Sequence, residues 1–131
     1  MKTALLIGGT AATGVAIAAE LEHRGFAVTI YHRGNHEVDA LDHLEHIHGD
    51  PHDAEAIGRD LAGRTWDVAV ATYGRIRHIA HTLRGRTGHF VSISGMPVVS
   101  LADGVPVTEA HPYESIDNAP AGLQGLLPRI I

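Results

Sequence analysis

The sequence predicts one α/β domain built on a doubly wound parallel sheet with strands in the order 3-2-1-4-5. Three observations carry that prediction. An apolar run, Ala4 to Ile7, breaks into Gly8-Gly9-Thr10 and passes after Gly14 into helical spacing, so that a buried strand, a tight turn and a helix follow one another. Short β-rich runs then alternate with amphipathic helical segments, the pattern of parallel pairing through right-handed crossovers. Finally, 131 residues of which 44% are hydrophobic suffice to bury one core and suggest one domain.

The first helix carries small or apolar residues at Gly14, Ala18, Leu21 and Gly25, a slim stripe able to lie close on a sheet, and Arg24-Gly25 closes it. Phe26 to Tyr31 is the second strand. From His32 to Asp42 the sequence is polar and reads as a loop, with one helical turn near Val38 to Leu41. Leu44 to His48 alternates apolar and polar residues and stops at Gly49-Asp50-Pro51, which predicts the third strand. Asp53 caps a helix with Ala54, Ile57 and Leu61 on one face, and Gly63 ends it. Asp67 to Thr72 is the fourth strand, Ile76 to Leu83 a helix and His89 to Ser94 the fifth strand. Residues 1–94 therefore form the expected domain. Residues 95–131 hold five of the six prolines, show no long periodicity, and read as an irregular tail, the start of a missing substrate-binding portion. An uncovered fifth strand would then offer an edge for homo-oligomer formation.

The formal charge of -5 and a pI near 6.1 exclude a broad basic footprint for nucleic acid or an anionic membrane. Cysteine is absent, which removes disulfides and thiolate chemistry. The apolar run after Lys2 is too short for a signal or a membrane span, so a cytoplasmic location is expected. At the first turn, the leading N–H groups of a helix lack intrahelical partners and the helix dipole favours negative charge, so a phosphate is the natural guest.

Leu-Leu-Ile-Gly-Gly-Thr-(x3)-Gly, then Gly25 to Gly34, then His48-Gly-Asp-Pro-His-Asp53, then Trp66-Asp-Val-Ala-Val together resemble the N-terminal half of an NAD-dependent epimerase/dehydratase of the extended or atypical short-chain dehydrogenase/reductase group. The resemblance covers about residues 1–100 and implies a Rossmann-type domain binding NADP, or NAD, as cofactor. The family's Gly-x-x-Gly-x-x-Gly turn falls on Gly8, Ala11 and Gly14, so the middle glycine is replaced by alanine. Gly9, Thr10, Ala12 and Thr13 complete the implied lining. The end of the second strand has His32-Arg33 and no acid, which implies that Arg33, helped by His32, takes the 2'-phosphate of NADP. Asp50 matches the family acid near the adenine amino group, and Ala71, Thr72 and Tyr73 match the stretch beneath the nicotinamide ribose, where backbone matters more than side chains.

The implied activity is oxidoreductase chemistry at a sugar or another small carbonyl or alcohol carbon. Its usual catalytic set is not legible: the family serine pair falls on Ser94 and Gly95, Tyr113 is followed four residues later by Asp117, and Lys2 is the only lysine. Ser94 and Tyr113 are the remaining catalytic candidates. Loss of the Tyr-x-x-x-Lys pair favours an alternative, a non-catalytic NADP-binding sensor. A third reading, a metal-binding module using His43, His46, His48 and His52 with Asp50 and Asp53 nearby, comes from eleven histidines, six of them between His32 and His52. His46 and His48 would share one strand face, but with His43, His52, Asp50 and Asp53 they close no recognisable ligand spacing, and no metal is expected.

Overall fold

Each β-rich run becomes a strand, and each is carried back to the same end of the sheet before the next begins, so every neighbouring pair is parallel. The computed structural model describes residues 1–93. They form β1 (Lys2–Ile7), α1 (Ala12–His23), β2 (Phe26–His32), a single 3-10 turn (Asp39–Leu41), β3 (Glu45–His48), α2 (Ala54–Asp60), β4 (Trp66–Ala71), α3 (Ile76–Leu83) and β5 (Thr87–Ser92). The sheet order is β3-β2-β1-β4-β5, as the sequence predicts. The change of direction beside β1 places the switch point of the sheet at the carboxyl ends of β1 and β4, next to the glycine turn.

Boundaries differ from the sequence reading where polar residues join a ladder. β5 starts at Thr87 rather than His89, because Trp66 pairs with Thr87 and its amide donates to the Arg86 carbonyl at 2.8 Å. Thr87-Gly88 shows no alternation that would announce this. β3 starts at Glu45 rather than Leu44, whose amide instead donates to the Leu41 carbonyl at 3.0 Å and closes the preceding turn.

The two faces of the sheet carry separate cores. Leu6 and Ile30 face α1 and the 3-10 turn, packing with Ala18, Leu41 and Val70. Leu5, Ile7 and Tyr31 face α2 and α3, packing with Ile57, Leu61, Ile79 and Leu83. Alternation along each strand assigns these faces. Tyr31 is fully buried, and its hydroxyl donates to Asp60 at 3.1 Å. Burial, reinforced by that carboxylate, pushes the phenol above its ordinary range. A side chain at Gly49 would collide with the Tyr31 hydroxyl and Asp60, so this turn residue is fixed by packing as well as by its position after β3.

On the outer side, Glu45 of β3 accepts both Arg64 guanidinium N–H groups, at 2.8 and 2.6 Å, and the Thr29 hydroxyl of β2 at 2.7 Å. These bonds, led by Arg64, hold its carboxyl down at about 2, against an ordinary 4.5. A carboxyl lowered on folding stabilises the fold above its unfolded value and loses that contribution as pH falls towards its folded one. Both side chains are partly solvated, which limits the pair to about 1 kcal/mol. Arg64→Met should therefore lower neutral-pH stability by about that much, and its deficit should shrink as pH approaches about 2. Urea unfolding of both proteins across that range checks it; a deficit independent of pH would contradict the assignment.

No helix among the described residues is long and apolar enough to cross a membrane.

Candidate functional site

The carboxyl end of β1 is built for a close turn. Gly8 takes φ +82°, a conformation that side chains disfavour, and its amide donates to the Tyr31 carbonyl at 2.9 Å. The Thr72 hydroxyl, just beyond β4, reaches the Gly8 carbonyl at 2.8 Å and the Ile7 carbonyl at 3.0 Å. That side chain, and not only the backbone expected from the sequence, fastens the turn to β4. Ala11 has φ -90° and ψ 167°, open to any residue, so alanine stands at the middle fingerprint position without strain.

Gly14 has a different task from the one its place on the helix stripe suggests. A Cβ there would run into the backbone of Gly9, so the third fingerprint glycine lets the first turn of α1 close against the glycine loop itself. Contact with the sheet is made one turn later, by the fully buried Ala18.

The two neighbouring helices differ at their N-termini. Asp53 caps α2, accepting the amides of Glu55 at 2.9 Å and Ala56 at 3.2 Å. At α1, Ala11 offers no capping side chain and the first turn holds no acid. The first backbone bond of α1 is from Val15 to the Ala11 carbonyl at 3.0 Å. Donors at Ala12, Thr13 and Gly14 thus precede the intrahelical ladder, with Thr10 alongside in the turn.

At the same strand ends, Arg33 follows β2 and Tyr73 lies two residues beyond β4. The Arg33 guanidinium donates to the Tyr73 hydroxyl and lies 5.5 Å from the ring centre. Because β1 lies between β2 and β4, this contact passes over the end of β1. The other edge of Tyr73 meets His52 with ring centres 4.7 Å apart. His52 in turn donates its amide to Asp50 Oδ1 at 2.9 Å, and its Nδ1 lies 3.1 Å from the same oxygen. That amide chiefly, with Arg33 adding to it, holds the Asp50 carboxyl below its usual range. Gly8, Gly9, Gly14, Arg33, Asp50, Thr72 and Tyr73 therefore gather at one rim, with Ala71 at the end of β4.

His32 turns the other way. Successive strand residues face opposite sides, so His32 shares the side of Ile30 while Arg33 continues the side of Tyr31. Both its ring nitrogens are engaged: Nε2 lies 2.8 Å from His46 Nδ1, and Nδ1 accepts the Gly34 amide at 3.1 Å. Burial first of all lowers its pKa below the ordinary imidazole value, against the pull of Glu37. His46 and His48 lie beside His32, whereas His43 pairs with Glu22 at 2.7 Å and His52 with Asp50, away from that group. Ser94 and Tyr113 lie outside the described residues.

No protein-family model matches the chain, and no curated protein matches it by sequence. Solved structures do match in fold. An epimerase from Methanothermobacter thermautotrophicus aligns at 19% identity and a TM-score of 0.68, over 98% of this chain and 46% of its own. The Thermus thermophilus UDP-glucose 4-epimerase, solved with NAD, aligns at 14% identity and 0.63, over 86% and 44%. A Burkholderia multivorans protein provisionally assigned to the short-chain dehydrogenase/reductases, solved with NADP, aligns at 22% identity and 0.56, over 66% and 54%. The chain spans about half the length of these structures. The group that the sequence resembles is thus the group whose Rossmann-type fold this chain has.

Proposed function

We propose that this chain binds a nicotinamide dinucleotide, NADP in preference to NAD, in an extended pose across the carboxyl ends of its strands. In this reading it is the nucleotide-binding part of an epimerase- or reductase-type oxidoreductase acting on a sugar or another small carbonyl or alcohol substrate. The carrying observation is the N-terminus of α1 above a glycine turn, uncapped among the described residues, beside a second helix whose N-terminus its own Asp53 already satisfies. A diphosphate suits such a terminus because it meets the free N–H groups and the positive end of the helix dipole together.

Bound there, the dinucleotide would supply the hydride chemistry, and the residues of this chain would bind and orient it. Arg33 would leave Tyr73 to take the 2'-phosphate, and Asp50 would face the adenine end. Ala71 and Thr72 would lie beneath the nicotinamide ribose. Lys2 is the only lysine, so no lysine-paired tyrosine can form within these residues. That observation favours a second reading, an NADP-binding sensor without turnover.

Arg33→Ala tests the cofactor preference. A charge-assisted contact to phosphate is worth about 1.5–3 kcal/mol, so NADPH affinity should fall about tenfold to a hundredfold. NADH, which lacks that phosphate, should bind the variant nearly as well as the parent. Tighter NADH than NADPH binding by the parent, or equal losses for both, would overturn the assignment.

A further inference from the structure

We propose that His32, Glu37, His46 and His48 form a binding site for one divalent transition-metal ion of the zinc class, on the sheet face that carries α1. It stands independently of the dinucleotide reading.

Strand register builds most of the site. In the β2–β3 ladder His32 is the Cα partner of His48, and Ile30 that of His46. Residues two apart share a face, so three imidazoles meet on one side of two adjacent strands. Their ring centres are 4.8 Å apart for His32 and His48, 5.0 Å for His32 and His46, and 6.2 Å for His46 and His48. Glu37 closes the group from the β2–β3 connection, with carboxylate oxygens 3.3 Å from His48 Nε2 and 3.9 Å from His46 Nδ1. One ligand atom from each residue lies within 4.8 Å of all the others. Tetrahedral bonds of about 2.0–2.1 Å put ligand atoms about 3.3–3.4 Å from one another. The observed spacings straddle that value, so shifts well under a side-chain length would seat an ion.

Tautomers support the donor set. His46 Nε2 lies 2.9 Å from the Leu41 carbonyl, which can only accept, so Nε2 carries the proton and Nδ1 keeps its lone pair towards the cluster. A ligating histidine commonly donates its other ring N–H to a backbone carbonyl in this way. His32 is the member that must adjust. Its Nδ1 accepts the Gly34 amide, so its proton sits on Nε2 and is shared with His46 Nδ1. For Nε2 to bind an ion, that proton moves to Nδ1 and the Gly34 amide turns away. Imidazole with carboxylate selects zinc, cobalt, nickel or copper over magnesium or calcium, which prefer all-oxygen shells.

The test uses the full chain after treatment with chelator, without dinucleotide, titrated calorimetrically with zinc alone and followed by visible absorption with cobalt alone. One ion per chain is expected, with the ligand-field bands of four-coordinate cobalt. Glu37→Gln, at an exposed carboxylate, and His48→Ala should each weaken zinc binding about tenfold to a hundredfold or more, while His43→Ala, which removes a histidine outside the cluster, should leave it unchanged. Circular dichroism of each variant confirms that the fold persists, and Glu37→Gln serves where a histidine variant does not fold. Loss spread equally over His43→Ala and the cluster variants, or no saturable uptake by the parent, would overturn the site. Such a failure leaves dinucleotide binding untouched, because the glycine turn and Arg33 take no part in it.

Discussion

Gly8→Ala should destabilise the protein by about 3 kcal/mol, the largest effect expected of any single methyl added to this turn. Two penalties add there. At φ +82° an L-residue with a Cβ is strained, by about 1–2 kcal/mol. The new methyl would also stand 2.5 Å from Tyr73 Cβ and 3.0 Å from Thr72 Oγ1. Neither neighbour is the free end of a flexible chain, since Thr72 Oγ1 is held by the Gly8 and Ile7 carbonyls. Relief therefore requires the β4 end to move, at an overpacking cost of about 1–3 kcal/mol. Urea unfolding against the parent measures this, and a change under about 1 kcal/mol would show that the turn relaxes freely.

Gly14→Ala and Gly58→Ala should act in opposite directions, although both replace a helical glycine. Helix propensity alone favours alanine by about 1 kcal/mol at either position. At Gly58, in α2, nothing lies within 4 Å of the added methyl, so the preference stands and stability should rise by about 0.5–1 kcal/mol. At Gly14 the methyl meets the Gly9 backbone, which has no rotamer to adopt. Overpacking of about 1–3 kcal/mol offsets and exceeds the propensity gain, leaving a net loss of up to about 2 kcal/mol. The loop that bends to make room is the one proposed to receive the diphosphate, so dinucleotide affinity should fall about tenfold or more with Gly14→Ala and stay unchanged with Gly58→Ala. Paired thermal unfolding and binding titrations check both halves. Equal signs in the two stabilities would mean that the Gly9 contact is not what keeps Gly14 a glycine.

Much of the architecture is legible in the chain because its signals are local. Ala4 to Ile7 ends in glycines, Phe26 to Tyr31 is flanked by Gly25 and a polar loop, and Asp53 announces its helix as a cap. Those cues fix element order, and the right-handed crossover rule then leads to the strand order found. Legibility stops where a residue's task depends on a partner far away in sequence. Gly14 looks like a packing residue on a helix stripe, yet what excludes a side chain there is the Gly9 backbone. Thr72 looks like a strand end, but its hydroxyl holds a turn sixty-four residues away. Glu37 carries no signal at all, being one acid in a polar loop, and joins three histidines only because β2 and β3 pair in one register. His32 is the instructive case: next to Arg33 in sequence, it faces the opposite side of the sheet, as strand alternation requires.

Dinucleotide binding by this chain depends above all on the N-terminus of α1 receiving the diphosphate. Calorimetric titration of NADPH and of NADH into the purified chain, alongside Gly14→Ala, tests this directly. Saturable binding of one dinucleotide per chain, tighter for NADPH and weakened about tenfold or more by the added methyl, is the predicted result. Absence of binding by either dinucleotide to the folded parent, or binding indifferent to Gly14→Ala, would contradict it.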